Sequence, residues 1–235
     1  MKKVNVIMIS ICLLFAINTY GQKNKNNTKK PMTNKTDSIS YVLGQEVGGY
    51  YLSQEIMVNT DEFMQGFIDA FKKISAIDQA TKEKLIQQFQ MEQQAKHQAK
   101  SAQKSGENKA KGAAFLENNK KNADVVTTPS GLQYKIVKQG QGEHPKATDK
   151  VKVHYHGTLI DGTVFDSSVQ RGEPISFGLN QVIRGWTEGV QLMTPGSKFI
   201  FYIPSELAYG DRETGAIAPG STLIFEVELF EINPK

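Results

Sequence analysis

The apolar positions of this chain fall into three regimes. From Val4 to Ile17 they form one run, interrupted only by Asn5 and Ser10. Between about residues 37 and 89 they recur at helical spacing. From residue 132 onward they alternate with polar positions, as half-buried strands require.

The middle regime predicts an all-helical arm over residues 37–124. Asp37 or Ser38 is placed to cap a helix with apolar residues at Ile39, Val42, Leu43, Val47 and Tyr50 or Tyr51. Asn59 or Thr60 starts a second, with Phe63, Met64, Phe67, Ile68 and Phe71 on one face. Asp61 and Glu62 sit in its first turn, where the helix dipole favours them. Asp78 can cap a third, which opens with Leu85, Ile86 and Phe89. From about Glu92 to Lys111 that helix is almost entirely Gln, Lys, Ala, Glu and Asn, so it has little to bury. The reading is a long helix solvated on most sides, either unbroken from Gln79 to Asn122 or bent near Gly106 and Gly112. The two short helices cannot make a stable core alone. Their stripes predict a homodimer through residues 37–75; the alternative is that they fold back on their own long helix.

The last regime predicts an α+β domain over residues 125–235: an antiparallel β-sheet wrapped on one short helix. Strands are expected at Leu132 to Val137, Val151 to Ile160, Thr163 to Phe165, Ile175 to Phe177, Lys198 to Ile203 and Thr222 to Ile232. Asp161-Gly162 reads as a two-residue hairpin turn. Gly185 lets the chain turn tightly into the helix, which runs to about Met193.

The first regime reads as an export signal. Lys2 and Lys3 lead it, and Thr19-Tyr20-Gly21 offers a cleavage site after Gly21. The run is too short for a spanning helix. Cys12 lies inside it between Ile11 and Leu13, which argues against lipid attachment. It is also the only cysteine, so cleavage leaves a chain without disulfides, thiol nucleophiles or thiolate metal sites. Residues 22–36 are polar and read as a disordered spacer.

Charge narrows the partners. The formal net charge is +4, and residues 22–127 carry 16 Lys and Arg against 12 Asp and Glu. No dense basic patch results, so nucleic acid is not expected. No Gly-rich phosphate loop follows a strand. His154 and His156 share a strand face, but no further ligand completes a metal set. Ser167 and Ser168 have no positioned base. What remains is an aromatic pocket. Val182 and Ile183 lead into Trp186 as its floor, with Tyr155, Phe165, Asp166, Phe177, Tyr209 and Phe225 on neighbouring segments. Such a pocket suits an apolar, carbonyl-bearing substrate that changes without covalent chemistry.

The segments VHYHGTLIDGTVFDSS, VIRGWTEGVQLM, AYG and STLIFEVELF closely resemble the FKBP-type peptidyl-prolyl isomerases. In the arm, ISYVLGQEVG and FMQGFIDA resemble the dimerisation region of secreted bacterial members of the macrophage infectivity potentiator type, as does GLQYKIVKQG at the start of the domain. The resemblance implies an FKBP-like fold and a cofactor-free, metal-free peptidyl-prolyl cis-trans isomerase. Its substrates would be proline-containing unfolded or partly folded polypeptides, and macrolide inhibitors of the family would be ligands. By resemblance Tyr155, Phe165, Asp166 and Tyr209 are catalytic, and Phe177, Val182, Ile183, Trp186, Ile217 and Phe225 bind substrate. The Ile183 N–H and the Tyr209 hydroxyl would donate to substrate carbonyls. It also implies chaperone activity as a dimer, in the periplasm or at the outer membrane. Ala216 and Ala218 stand where many members have a larger apolar residue and a proline, and Ile175 where an aromatic is frequent, so a shallower loop wall is expected. The alternative function is a client-holding chaperone or assembly module with a vestigial pocket.

Overall fold

The computed structural model describes residues 32–234. The expected signal peptide, Cys12 and the spacer up to residue 31 lie outside the described residues. The described residues divide into two compact units, one ending at Ala76 and the other beginning at Ile77.

The first unit holds α1 (Lys35–Ser53) and α2 (Thr60–Lys72). Helix α1 starts ahead of the expected cap, inside the span assigned to the spacer. Asn34 caps it instead, its Oδ1 accepting from the Asp37 N–H at 2.8 Å. Asn59 caps α2 by accepting from the N–H groups of Asp61 and Glu62. Tyr51 meets Phe63 edge to face at 5.6 Å, which ties α1 to α2. Neither helix has a buried residue. Ile39, Val42, Leu43, Phe67 and Phe71 are all exposed, Phe71 to 77%.

The second unit opens with α3 (Gln79–Asn119), capped by Asp78 through the Thr81 N–H at 2.9 Å. At about 1.5 Å per residue it is roughly 60 Å long. It runs unbroken through Gly106 and Gly112, the first of the two possibilities the sequence left open. It is solvated on most sides but not on all. Ser105, Gly112 and Asn119 are buried at heptad spacing, which marks a narrow stripe along one side. Gly112 is there for close approach: a Cβ would collide with Thr222 Oγ1. Asn119 Nδ2 donates to Gln133 Oε1 at 2.9 Å, and Phe115 packs on Tyr202. A polar helix can pack here because small side chains and amide bonds carry the contact together with the Phe115 ring.

Seven strands follow: β1 (Val125–Thr127), β2 (Gln133–Lys138), β3 (Lys150–Leu159), β4 (Val164–Ser167), β5 (Ile175–Gly178), β6 (Lys198–Ile203) and β7 (Leu223–Ile232). They pair antiparallel in the order β1-β2-β6-β7-β3-β4, with β5 also on β3. Two short helices interrupt them, α4 (Ser168–Arg171) and α5 (Arg184–Val190). Strand β1 and helix α4 were not expected from the pattern, being too short for periodicity to register. The β3–β4 turn holds three residues rather than two. The Leu159 N–H donates to the Thr163 carbonyl, and Gly162 sits at φ 87°.

Alternation places the core. Val151, Val153, Tyr155 and Gly157 of β3 point inward. So do Phe199, Phe201 and Ile203 of β6, and Leu223, Phe225, Val227 and Leu229 of β7. Helix α5 lies on this face. Gly185 does not turn the chain; it sits within α5, where any side chain would strike Ile203, and Gly189 likewise meets Phe201. These two glycines set the helix close to the sheet, and that fixes where Trp186 stands.

Candidate active site

Trp186 is 3% exposed and sits in the first turn of α5. Three rings meet it edge-on: Phe225 of β7 at 5.0 Å, Phe177 of β5 at 5.2 Å and Tyr155 of β3 at 5.4 Å. Edge-to-face pairing orients each ring by its quadrupole and leaves the Trp186 face as a floor. Phe165 of β4 stands against Phe225 at 5.3 Å. Above this floor opens a cavity of about 860 Å³.

All ten residues singled out from the sequence line it. Tyr155, Phe177, Trp186 and Phe225 are its contacting aromatic set, and Val182 and Ile183 come from the lead into α5. Phe165 and Asp166 come from β4, and Tyr209 and Ile217 from the segment between β6 and β7.

A bulge explains how Phe165 and Asp166 both reach the cavity. Neighbours on a regular strand point to opposite faces. Here Gly157 pairs with Asp166 but Thr158 pairs with Val164, so Phe165 is an extra residue. Gly157 admits the result: a Cβ there would lie 2.8 Å from both the Phe165 and the Phe225 ring.

Asp166 is held from two sides. The Tyr155 hydroxyl donates to its Oδ2, and Arg171 Nη1 donates to its Oδ1 at 2.5 Å. Arg171 Nη2 also donates to the Tyr155 oxygen at 2.9 Å, closing a three-membered ring. Partial burial opposes ionisation of Asp166. The bonds from Tyr155 and Arg171 outweigh it, and its pKa lies below the ordinary 3.8. Burial, followed by the neighbouring carboxylate, pushes the Tyr155 phenol above its ordinary 10.0. The same two partners hold the Arg171 guanidinium firmly protonated.

Sequence reading missed Arg171. Its signal was local: Ser167 caps α4 by accepting from the Gln170 N–H at 3.2 Å, and Gly172 ends it at φ 84°. Ser168 anchors the same corner by accepting from the Tyr155 N–H at 2.8 Å. His154 and His156 are occupied on Ser168 and Ser167, each at 3.0 Å. Among the described residues no three His, Cys, Asp or Glu side chains converge on a metal position. Arg184, Glu206 and Arg212 also line the cavity and were not foreseen.

Ile183, at the start of α5, Tyr209 and Trp186 all line this space, and no protein acceptor for the Ile183 N–H or the Tyr209 hydroxyl is found among the described residues. The indole N–H of Trp186 is buried and likewise has no protein partner among them. The site is therefore an aromatic basin with a carboxylate fixed by Tyr155 and Arg171 and with Arg184, Glu206 and Arg212 also in its lining. It has no nucleophile paired with a base.

Comparison with known proteins gives the same chemistry a family. Residues 141–230 match the model of the FKBP-type peptidyl-prolyl cis-trans isomerase, and residues 36–136 match that of the domain amino-terminal to it. The FKBP-type peptidyl-prolyl cis-trans isomerase FkpA of Aeromonas hydrophila is 46% identical over 203 residues, spanning 83% of this chain and 76% of that protein. The outer membrane protein MIP of Legionella longbeachae is 43% identical over 205 residues, spanning 86% and 87%. The crystal structure of FkpA from Escherichia coli superposes with a TM-score of 0.70 at 40% identity, covering 87% of this chain and 99% of that one. Matches of this extent, over both the arm and the aromatic basin, show that the chain belongs to the FKBP-type peptidyl-prolyl cis-trans isomerases.

Proposed function

We propose that the basin over Trp186 is where this isomerase turns the Xaa-Pro bond, with the ten residues above in the roles their positions suggest. The prolyl ring lies on the Trp186 indole, between Tyr155, Phe177 and Phe225. Val182 and Ile217 flank the peptide. The Ile183 N–H and the Tyr209 hydroxyl donate to substrate carbonyls.

The physical problem is a barrier of about 18–20 kcal/mol, set by the partial double bond of the amide. A planar amide carries charge separation that water solvates. A twisted amide has lost conjugation and is less polar. Moving the bond into a dry aromatic basin therefore disfavours the planar state relative to the twisted one. Only such differential stabilisation speeds exchange. Donors fixed on the flanking carbonyl hold one side of the bond while the other rotates. Asp166, held by Tyr155 and Arg171, presents a fixed charge beside the path of the rotating carbonyl. The observation that carries this reading is the four-ring basin closed at its rim by the Tyr155–Asp166–Arg171 ring.

The reading extends to the arm. Its exposed Ile39, Val42, Leu43, Phe67 and Phe71 support a homodimer through residues 37–75. Two basins on one dimer would hold an unfolded chain at two points and raise effective affinity. Chaperone activity on proline-containing clients follows from that arrangement. The basin's size and apolar lining suit the macrolide inhibitors of the family. Export is inferred from the Lys-led apolar run with cleavage after Gly21, and the name of the Legionella relative supports an envelope location. The test is exchange of a short peptide with an apolar residue before proline, at micromolar protein. A rate above the buffer blank, lost on Phe165→Ala, supports the basin as the site.

A further inference from the structure

One stretch of α3 meets the loop that forms a wall of the basin. Ser105 Oγ donates to Asp211 Oδ1 at 2.5 Å, and Lys109 Nζ pairs with the same oxygen at 2.6 Å. Asn108 Nδ2, between them in sequence, donates to the Pro219 carbonyl at 2.8 Å. One helical turn thus holds both ends of the segment 211–219. The Gly220 N–H closes the neck of that segment on the Gly210 carbonyl at 2.8 Å. Gly220 has φ 73°, and a Cβ there would lie 2.7 Å from Ser105 Oγ, so helix and neck are in close register.

The segment needs such a tie. Asp211 to Ala216 are all exposed, and Ile217 is its buried apolar anchor. Its internal order rests on the paired bonds between Thr214 and Ile217, at 3.0 and 2.9 Å. Yet Arg212, Thr214, Gly215, Ala216 and Ile217 all line the basin. A peptide that had to order this wall on binding would bind more weakly. The opposite rim has no such need: Tyr155, Phe165 and Asp166 are fixed on β3 and β4 and by Arg171.

We propose that Ser105, Asn108 and Lys109 of α3 are positioning residues of the active site, a clasp that pre-orders the 211–219 wall without touching the peptide. The proposal rests on the basin being the peptide site. Because the clasp acts on the wall and not on the rim, its loss raises KM and spares kcat.

The test uses the full chain carrying Ser105→Ala, Asn108→Ala and Lys109→Ala together. Alanine keeps the helix, being its best former. The expected result is a KM for an apolar Xaa-Pro peptide raised about threefold to tenfold, as for loss of a few partly exposed polar ties, with kcat at the parent value. Lys109→Arg alone retains the ion pair and stays at the parent KM. Gly112→Ala is an independent probe. It improves helix propensity but drives a methyl into Thr222, so KM rises although α3 itself is strengthened. A parent KM in the triple variant and in Gly112→Ala overturns the clasp, whether or not the thermal midpoint moves. Equal loss of kcat in both also overturns it. Phe165→Ala in the same assay reports on the basin separately. If it lowers turnover while the clasp variants keep the parent KM, the clasp alone fails; if it turns over like the parent, the basin reading fails.

Discussion

The Tyr155 hydroxyl donates to Asp166 across two strands whose register does not pair the two residues. Asp166 pairs with Gly157, two positions beyond Tyr155 and on the same face of β3, so its carboxylate reaches the phenol diagonally, while the bulge leaves Phe165 as the extra residue beside it. Arg171 then closes the ring from α4. A phenol buried against Trp186 and a carboxylate at the rim are thereby locked to one another, so the rim can be altered without dismantling the floor.

Asp166→Ala and Phe165→Ala should each lower turnover about tenfold or more, within the range seen when one fixed electrostatic or packing element of a site is removed. The fold should survive. The Asp166 side chain is 44% exposed, and ion pairs at such positions contribute about 0–1 kcal/mol. Circular dichroism matching the parent, with slow peptide exchange, is the expected pair of results. Parent-like exchange in both variants would move the site elsewhere.

Trp186→Ala should behave differently. Truncating a buried aromatic of this size costs about 3–5 kcal/mol, and three rings lose their partner at once. A large drop in the urea midpoint and loss of peptide binding are expected together. Trp186 is also the only tryptophan, so quenching of its emission by an apolar Xaa-Pro peptide reads occupancy of the basin directly.

The ionisation of the ring sets a pH window. Asp166 has its folded pKa depressed below 3.8, so its contribution is complete above the unfolded value and is lost as pH falls through the folded one. Tyr155 has its folded pKa raised above 10.0, so its contribution is complete below the unfolded value and is lost as pH rises through the folded one. Between these limits nothing in the ring titrates. kcat/KM should be flat from about pH 5 to about pH 9, given ordinary carboxylate and phenol ranges. A bell centred near neutrality would show that an acid–base pair does the work instead.

Much of this was legible before any coordinates, because long-range features write themselves into periodicity. Alternation from residue 132 onward announced the strands that became β3 and β7, and Asn59 and Asp78 announced the starts of α2 and α3. The aromatic set around Trp186 was readable because its members share few other roles. What stayed hidden had no periodic signature. The bulge at Phe165 depends on how two strands meet, and Arg171 enters through a helix of four residues. Gly185 and Gly112 looked like flexibility and are close-packing positions, a difference that only the facing Ile203 and Thr222 reveal. The polar run of α3 looked solvated because its contacts use Ser105, Asn108 and Lys109, residue types that usually face water.

Removing the first compact unit, up to Ala76, should separate the two activities proposed for the chain. Every residue of the basin lies between 155 and 225, and the clasp on α3 is retained. A short peptide engages one basin, so its exchange should continue near the parent rate. Refolding of a whole protein limited by proline isomerisation should slow sharply, and aggregation of that protein should no longer be suppressed. The reason is mass action: two basins on one dimer rebind a released chain before it diffuses away, and a lone basin cannot. The apolar stripes on α1 and α2, exposed in the single chain, are what should make that dimer. Sedimentation equilibrium at tens of micromolar is the direct measurement. The mature chain should have twice its monomer mass and the shortened chain the monomer mass. A monomeric mature chain would end the dimer proposal, and equal refolding by the two forms would remove the role given to the arm.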